Sequence, residues 1–280
     1  MCNTCGCNVT SGNRHLLFNH THEHPHEKPV TAVAVLSKLL KHNDQQAQLN
    51  RAKLDAHGIL AINLMSSPGS GKTALLEATI QKLKDKLRIA VIEGDLETEN
   101  DADRIRAQGV PAYQITTGTA CHLDAHLTQQ ALEHLNLNEI DLLFIENVGN
   151  LVCPASFDLG HHRNVTLLSV TEGDDKPAKS PVMFRAADLM LITKTDLLPY
   201  LHDFSPDKAE ACQRALASDV QIIPLSSRSG EGLAGWLQWL EDEVSEHKVR
   251  VQQHQTLQPR VQQDGHKLHL QTPDIRFRPV

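Results

Sequence analysis

A glycine-rich segment that begins at Ser66 and ends at Thr73 has the residue types and spacing that bind phosphate. It reads SSPGSGKT, follows an apolar run and precedes a helical pattern. Glycines let successive backbone N–H groups turn toward phosphate oxygens, and a helix N-terminus adds a positive field. Lys72 would then contact the β- and γ-phosphates, and the Thr73 hydroxyl would bind Mg²⁺. Although Ser66 stands where the usual pattern has glycine, the segment predicts a P-loop whose nucleotide-binding residues are Gly69, Ser70, Gly71, Lys72 and Thr73.

A second motif, Thr193-Lys194-Thr195-Asp196, indicates which base is bound. It directly follows an apolar run and resembles the Asn-Lys-x-Asp motif of GTPases. In that motif the Asp carboxylate accepts from guanine N1–H and from the exocyclic amine, a pair of donors that adenine lacks. The Lys194 stem would pack on the base, and Ser226 would begin a companion loop. Asp196 keeps the discriminating carboxylate although Thr193 replaces Asn, so GTP is expected rather than ATP. The alternative is a plain strand-end turn with solvated charges.

Two acidic residues at the ends of apolar runs are candidates for handling the metal and the attacking water. Asp95 ends one of these runs and Glu146 ends another. In a parallel nucleotide-binding sheet, the carboxyl ends of the strands face the ligand. We therefore expect Asp95 to help hold Mg²⁺ and Glu146 to position water or the γ-phosphate, with Lys72 as the third catalytic residue. Alternatively, either carboxylate caps a neighbouring helix.

Three cysteines crowd the start of the chain, at Cys2, Cys5 and Cys7. Gly6 allows the sharp bend that would bring their thiolates onto one ion, and the terminal amine is close enough to be a fourth donor. Such a set in a tail suits Ni²⁺, whereas a structural zinc site would tie two chain segments together. A redox pair or incidental thiols are the alternative.

Two further groups of residues have metal-binding side chains. Five histidines follow the terminal thiols, and they are typical either of weak metal storage or of a solvated tail: His15, His20, His22, His24 and His26. A second set lies on two loops that should leave the carboxyl edge of the sheet, and it would bind Zn²⁺ or Ni²⁺: Cys121, His122 and Cys153. Spacing alone favours the alternative of a buried structural cysteine and a surface histidine there.

Apolar runs and helical patterns alternate over most of the chain and must position these residues. Strands are predicted at 59–65, 89–92, 112–115, 142–145, 165–170, 189–192 and 221–224. Helices are predicted at 29–56, 72–84, 102–108, 123–135, 206–217 and 232–244. Because the strands are continuous apolar runs, the alternation predicts an α/β fold with a mostly parallel sheet flanked by helices, as in P-loop NTPases.

Composition and charge exclude some classes of protein. The 280 residues contain 17 histidines and 6 cysteines, and the formal net charge is −7 although residues 248–280 carry +4. A net-acidic body argues against nonspecific nucleic-acid binding. Without an apolar run long enough for a membrane span, and without a signal-peptide pattern, we expect a cytoplasmic protein with reduced thiols. The expected divisions are a disordered Cys/His-rich metal-binding tail at 1–28, a helical segment at 29–57, a P-loop GTPase domain at 58–247 and a disordered Gln-rich basic tail at 248–280.

Taken together, these motifs resemble those of one known family, the nickel-insertion GTPases of nickel–iron hydrogenase maturation (HypB type). The terminal Cys-x-x-Cys-Gly-Cys and the P-loop carry the resemblance, as do the segments CHLD at 121–124, FIENVGNLVCP at 144–154 and VTEGDDKP at 170–177. It covers about residues 30–245, together with the first seven. The Gln-rich tail has no counterpart that we can map onto the family.

The resemblance implies a GTPase that delivers nickel to the hydrogenase large subunit, forms a homodimer favoured by GTP and metal, and works with a zinc-binding nickel accessory protein. It implies a high-affinity nickel site at Cys2, Cys5 and Cys7, and a second site, for nickel or zinc, at Cys121, His122 and Cys153. Because the second site would adjoin the nucleotide, GTP hydrolysis is expected to change its metal affinity. One competing hypothesis is a nickel or zinc storage protein with a vestigial P-loop. Another is a nucleotide-driven kinase or a urease-type accessory GTPase, and the Cys-rich start of the chain argues against this second one.

Overall fold

Seven parallel strands form the centre of the molecule. The computed structural model describes residues 32–95, 100–118, 122–216, 219–259, 261–263 and 266–268. The strands are β1 Leu60–Ser66, β2 Ile89–Asp95, β3 Ala112–Thr116, β4 Leu142–Glu146, β5 Arg163–Ser169, β6 Leu189–Thr193 and β7 Gln221–Pro224. Their order in the sheet is β3-β2-β4-β1-β5-β6-β7, and every neighbouring pair is parallel. The predicted mostly parallel sheet is therefore confirmed.

Helices cover both faces of this sheet. They are α1 Ala32–Ala56, α2 Lys72–Leu83, α3 Asn100–Arg106, α4 Ala125–Glu133, α5 Lys176–Lys179, α6 Pro181–Ala186, α7 Pro206–Leu216 and α8 Leu233–Gln252. Every residue of β1 and β4 is buried. Alternate residues of β4 pack into the hydrophobic cores on opposite faces of the sheet. Phe144 packs with Trp236 of α8 on one face. Leu143 packs with Leu54 of α1 on the other face. Burial on both faces explains why these strands read as continuous apolar runs.

The structure differs from the sequence expectation after residue 247. Helix α8 continues to Gln252, and two short strands, β8 Val261–Gln263 and β9 His266–Leu268, pair in antiparallel fashion. Val244 and His247 are buried on the face of α8 that packs against the domain, so the helix has support up to its last turns. The expectation of a tail without regular structure from residue 248 is thus wrong for these stretches, and polar composition alone was the reason for it. The short helices α5 and α6 were also not predicted, because each spans barely one or two turns.

None of the helices within the described part of the chain combines the length and apolarity that crossing a bilayer requires.

Buried polar side chains fix α1 to the rest of the domain. Asn43 donates from Nδ2 to the Asp158 carbonyl at 2.8 Å and accepts the Ala125 N–H on Oδ1 at 2.9 Å. Asn50 donates to the Ala125 carbonyl at 2.7 Å. Arg51 forms a largely buried ion pair with Asp158 at 2.6 Å. The helix therefore lies against both the start of α4 and the segment that follows the 3₁₀ turn Cys153–Ala155.

Two adjacent buried histidines, His161 and His162, are held neutral inside the fold. Burial lowers the pKa of each from 6.5 to about 4. His162 Nδ1 accepts the Ala61 N–H at 2.9 Å, so its proton lies on Nε2, which is 3.1 Å from an Asp55 carboxylate oxygen. Asp55, His162 and His247 lie close enough together to suggest a metal site, but this proton occupies the atom that would bind the ion. We therefore assign the cluster to the core.

The free energy of unfolding is expected to fall as the pH falls from 6.5 to about 4. In this window the unfolded chain takes up protons on His161 and His162 while the folded chain does not, and protonation thus stabilises the unfolded state. Urea unfolding at a series of pH values measures the slope of the free energy of unfolding against pH. His162→Gln should reduce it, whereas His57→Gln, at an exposed position, should leave it unchanged. One common slope for all three proteins would contradict the assignment.

Candidate functional site

The predicted P-loop connects β1 to α2 at the carboxyl edge of the sheet. Gly69 and Gly71 have φ angles of 76° and 95°, in the left-handed region that favours glycine, and Gly71 is the N-cap of α2. Lys72 begins the helix, and its Nζ donates to Ser66 Oγ at 3.1 Å. The strand, loop and helix around SSPGSGKT follow in the predicted order. The serine in place of the usual first glycine contacts the lysine side chain and does not disrupt the loop.

Side chains from two other loops hold the P-loop in place. The Ser67 and Ser70 hydroxyls both donate to the carboxylate of Glu172, which follows β5. Thr193 donates from Oγ1 to the Ser70 carbonyl at 2.8 Å, and Lys194 donates from Nζ to the Gly69 carbonyl at 2.6 Å. Thr193, which replaces the asparagine of the GTPase motif, therefore still makes a hydrogen bond to the P-loop. Sequence reasoning gave Glu172 no role, because nothing in its motif shows that it faces serines a hundred residues away.

Three carboxylates, two of them buried, gather beside the P-loop. Glu93, Asp101 and Glu146 each place a carboxylate oxygen within 4.8 Å of the others, and the Thr73 hydroxyl donates to Glu146 at 2.9 Å. Burial and the facing Glu146 raise the pKa of Glu93 to about 11, and burial also raises the pKa of Glu146. One oxygen of each glutamate is buried, and no described residue forms a hydrogen bond with it. A divalent cation would satisfy these oxygens and would stabilise the charged form of both glutamates, so the residues present fit Mg²⁺.

Glu93 was missed by the sequence analysis, which selected Asp95. Both residues lie on β2 and point to the same face because side chains alternate along a strand. Asp95 is half-buried at the strand end and lines the same cavity, whereas Glu93 is 3% exposed and lies next to Glu146. The sequence does contain a signal for Glu93, because it is a glutamate inside an apolar strand, two residues before Asp95.

Two adjoining cavities follow the P-loop. The larger, of about 470 Å³, lies over Lys72, Thr73 and the carboxylates. The smaller, of about 220 Å³, is bordered by Lys194, Asp196 and Ser226, as predicted for the base. Ser226 Oγ donates to Asp196 Oδ1 at 2.6 Å and fixes the orientation of that carboxylate. The structure thus brings the predicted phosphate-binding residues and the predicted base-binding residues to neighbouring cavities at one edge of the sheet.

The predicted metal residues are only partly within the described structure. Cys2, Cys5, Cys7, Cys121 and the five histidines of the tail lie outside the described residues. His122 is buried and stacks on Phe157, with ring centroids 4.1 Å apart, and burial lowers the pKa of His122. Cys153 is buried at the start of the 3₁₀ turn that follows β4. Both positions therefore lie on loops from the carboxyl edge of the sheet, as expected.

Comparison with known proteins identifies the family. Residues 60–224 match the family described as CobW/HypB/UreG, nucleotide-binding domain. The hydrogenase maturation factor HypB of Azotobacter vinelandii is 57% identical over 203 residues, which are 72% of this chain and 67% of that protein. The chain belongs to the HypB family. The HypB protein of Escherichia coli K12 is 56% identical over 203 residues, covering 72% of this chain and 70% of that protein. The resemblance found in the sequence is therefore confirmed.

Solved HypB structures share this fold. The crystal structure of HypB from Helicobacter pylori in complex with nickel has a TM-score of 0.71 and 41% identity, and the match covers 74% of this chain and 97% of that one. HypB from Archaeoglobus fulgidus has a TM-score of 0.69 and 38% identity, covering 73% of this chain and all of that one. The predicted P-loop NTPase fold is confirmed, and the HypB comparison favours hydrogenase maturation over metal storage.

Proposed function

We propose that this protein hydrolyses GTP to drive the insertion of nickel into the large subunit of a nickel–iron hydrogenase. The observation that carries the proposal is the base cavity beside the P-loop, where Ser226 orients the Asp196 carboxylate. A carboxylate at that place accepts from the two donors on one edge of guanine. Membership of the HypB family supports the role in maturation.

The P-loop residues supply the charge and the positioning that phosphoryl transfer requires. Lys72 would neutralise charge that develops on the phosphates, and the backbone N–H groups of the loop would orient them. The Thr73 hydroxyl and the Glu146 carboxylate, which already contact each other, would hold Mg²⁺ together with Glu93. Mg²⁺ supplies charge neutralisation at the β- and γ-phosphates. Asp95 would orient the attacking water or hold Mg²⁺ through one, since it lines the same cavity.

Nickel is the cargo of this cycle. Cys2, Cys5 and Cys7 would form the tight site that carries the ion, and the histidines of the tail would be a weaker reservoir. Cys121, His122 and Cys153 would form a second site, for Ni²⁺ or Zn²⁺, whose affinity depends on the bound nucleotide. The thiolates must stay reduced, which fits a cytoplasmic location. The partners would be a second copy of the chain, a zinc-binding nickel accessory protein and the hydrogenase large subunit.

The alternative function is metal storage with a P-loop that has lost its activity. The structure supports an active P-loop, because residues that an inactive P-loop would not require still have the conformations and contacts of a working site. The glycines keep their left-handed φ angles, Thr73 bonds Glu146, and Ser226 bonds Asp196. A storage protein would require none of these.

Changing Asp196 to asparagine is expected to convert the specificity from guanine to xanthine. Xanthine has a carbonyl where guanine has its exocyclic amine. The asparagine Oδ1 can accept from the N1–H of either base, but its Nδ2 donates to the xanthine carbonyl and opposes the guanine amine, which is also a donor. Hydrolysis of GTP by Asp196→Asn should fall about 100-fold or more, and hydrolysis of xanthosine triphosphate should rise correspondingly. Asp203→Asn, at an exposed position, is the matched control and should hydrolyse GTP normally. An Asp196→Asn protein that still prefers GTP would overturn the base assignment.

A further inference from the structure

Arg104 of α3 is bound to two carboxylates at the wall of the larger cavity, which it lines together with Asp101. Its Nε and Nη2 donate to the two carboxylate oxygens of Glu77 at 3.1 Å and 2.7 Å. Its Nη1 donates to Asp101 Oδ1 at 2.8 Å. Two parallel bonds to one carboxylate fix the plane of a guanidinium, which the single ammonium of a lysine does not allow. Arg104 is therefore anchored by Glu77 and holds Asp101 from that position.

Asp101 is the least buried member of the carboxylate cluster. One of its oxygens lies within 4.8 Å of an oxygen of Glu93 and of Glu146. Both glutamates are buried on central strands, and each has an oxygen with which no described residue forms a hydrogen bond. The side chain of Asp101 is 37% exposed and comes from a short helix outside the sheet. Among the three carboxylates, Asp101 thus depends most on a hydrogen bond for its orientation.

The helix α2 carries both the hydroxyl of Thr73 and the anchor of Arg104. Glu77 follows Thr73 by four residues on α2, so the two side chains project from the same face of the helix. The Thr73 hydroxyl donates to Glu146 at 2.9 Å, within the carboxylate cluster. This helix therefore places Thr73 directly, and it places Asp101 through Glu77 and Arg104.

We propose that Arg104 is a positioning residue that orients the Asp101 carboxylate for the divalent cation at Glu93 and Glu146. Hydrogen bonds to the carboxylates that bind a metal ion fix their direction, and their loss weakens the site. A carboxylate has about four positions at which it accepts, so the bond from Arg104 leaves room on Asp101 for the ion. This inference rests on the cation site of the proposed function.

The sign of the effect separates positioning from charge alone. A guanidinium repels a nearby cation, so Arg104 acting only as a charge would weaken cation binding, and its removal would strengthen it. As a positioning residue Arg104 strengthens cation binding, and its removal weakens it. Glu77→Gln keeps the shape of the anchor but presents a donor to one N–H of Arg104, so it should also weaken cation binding.

Arg106 provides a matched control on the same helix. Its Nη1 donates to Asp103 Oδ1 at 2.6 Å, with the same spacing of three residues. Its side chain is 40% exposed, against 46% for Arg104. Arg106 and Asp103 do not line the larger cavity and do not belong to the carboxylate cluster. Arg106→Ala therefore removes the same charge and the same kind of ion pair away from the cation site.

The test measures Mn²⁺ binding by the full chain with one equivalent of a non-hydrolysable GTP analogue. Mn²⁺ replaces Mg²⁺ because unbound Mn²⁺ gives an electron paramagnetic resonance signal, and because it prefers carboxylates to the thiolates of the tail. Arg104→Ala should weaken Mn²⁺ binding about 10-fold or more, and Glu77→Gln should weaken it as well. Arg106→Ala should match the parent. Adding Arg104→Ala to Asp101→Asn should weaken binding no further, because Arg104 acts through Asp101.

The inference is overturned if Arg104→Ala binds Mn²⁺ as tightly as the parent or more tightly. Slower GTP hydrolysis with parental Mn²⁺ affinity would mean that Arg104 contacts the phosphates instead, and it also overturns the inference. Urea unfolding shows whether each variant is folded. If Arg104→Ala is not, Glu77→Gln decides, and parental Mn²⁺ affinity in that variant overturns the inference.

The parent protein separates this inference from the proposed function. A parent that hydrolyses GTP, with parental Mn²⁺ affinity in Arg104→Ala, removes the inference alone. A parent that binds Mn²⁺ but does not hydrolyse GTP removes only the proposed hydrolysis, and weaker binding by Arg104→Ala would still support the inference. A parent that binds no Mn²⁺ with the analogue removes both.

Discussion

Replacing Lys72 with alanine is expected to abolish GTP hydrolysis and hydrogenase maturation together. The Lys72 side chain is buried in the P-loop, with its Nζ 3.1 Å from Ser66 Oγ and over the cavity that would hold the phosphates. Its positive charge has no substitute in alanine, and removing one group that stabilises transition-state charge typically costs about 10²–10³-fold in rate. Weaker nucleotide binding would add to this loss. The measurements are phosphate release in vitro and hydrogenase activity in cells that carry only the variant.

The control for Lys72→Ala comes from the same helix. Lys82 is exposed near the end of α2 and lies outside both cavities. Lys82→Ala should retain GTP hydrolysis and maturation. If Lys72→Ala loses nucleotide binding while hydrogenase maturation proceeds as in wild type, the storage hypothesis is correct and the proposed cycle is not.

Replacing Cys2, Cys5 and Cys7 with alanine is expected to remove the tightest nickel site and to leave the nucleotide site intact. Thiolates are the softest donors in the chain, and removing three of them leaves the tail with imidazole nitrogens and a terminal amine, which hold nickel far more weakly. Titration with Ni²⁺ in the presence of a competing chelator should show the tight stoichiometry fall by about one ion per chain. GTP hydrolysis, measured alongside, should stay at the wild-type rate.

A cysteine elsewhere in the chain serves as the control for this experiment. Cys212 is half-buried on α7, far from the tail in sequence. Cys212→Ala should keep the tight nickel site. If the triple variant keeps the tight nickel site, the assignment of that site to the tail is refuted. The internal metal-binding residues would then be the candidates for the tight site.

The fold was accessible from sequence because its signals are local. Each central strand is buried on both faces and reads as an apolar run, and predicted and observed ends differ by at most three residues, as at β2, where Ile89–Ile92 became Ile89–Asp95. The strands extend further than predicted because residues such as Glu93 and Glu146 are polar yet buried. Their side chains line the candidate site, and strand ends predicted from apolar residues alone stop before them.

The residues that connect parts of the site were not accessible from sequence. Glu172 bonds serines of the P-loop, and Asn147 bonds the backbone of Leu123. These contacts span up to 105 positions along the chain, so no local spacing shows them. Motifs identified the groups that touch phosphate, base and metal. Three-dimensional packing alone shows which other side chains hold those groups in place.

We expect nickel to leave this protein under the control of GTP hydrolysis. The most direct measurement is the nickel content of the apo-hydrogenase large subunit after incubation with nickel-loaded protein, once with GTP and once with a non-hydrolysable analogue. Nickel is expected to accumulate in the large subunit with GTP and to stay on this protein with the analogue. Equal transfer under both conditions would contradict it.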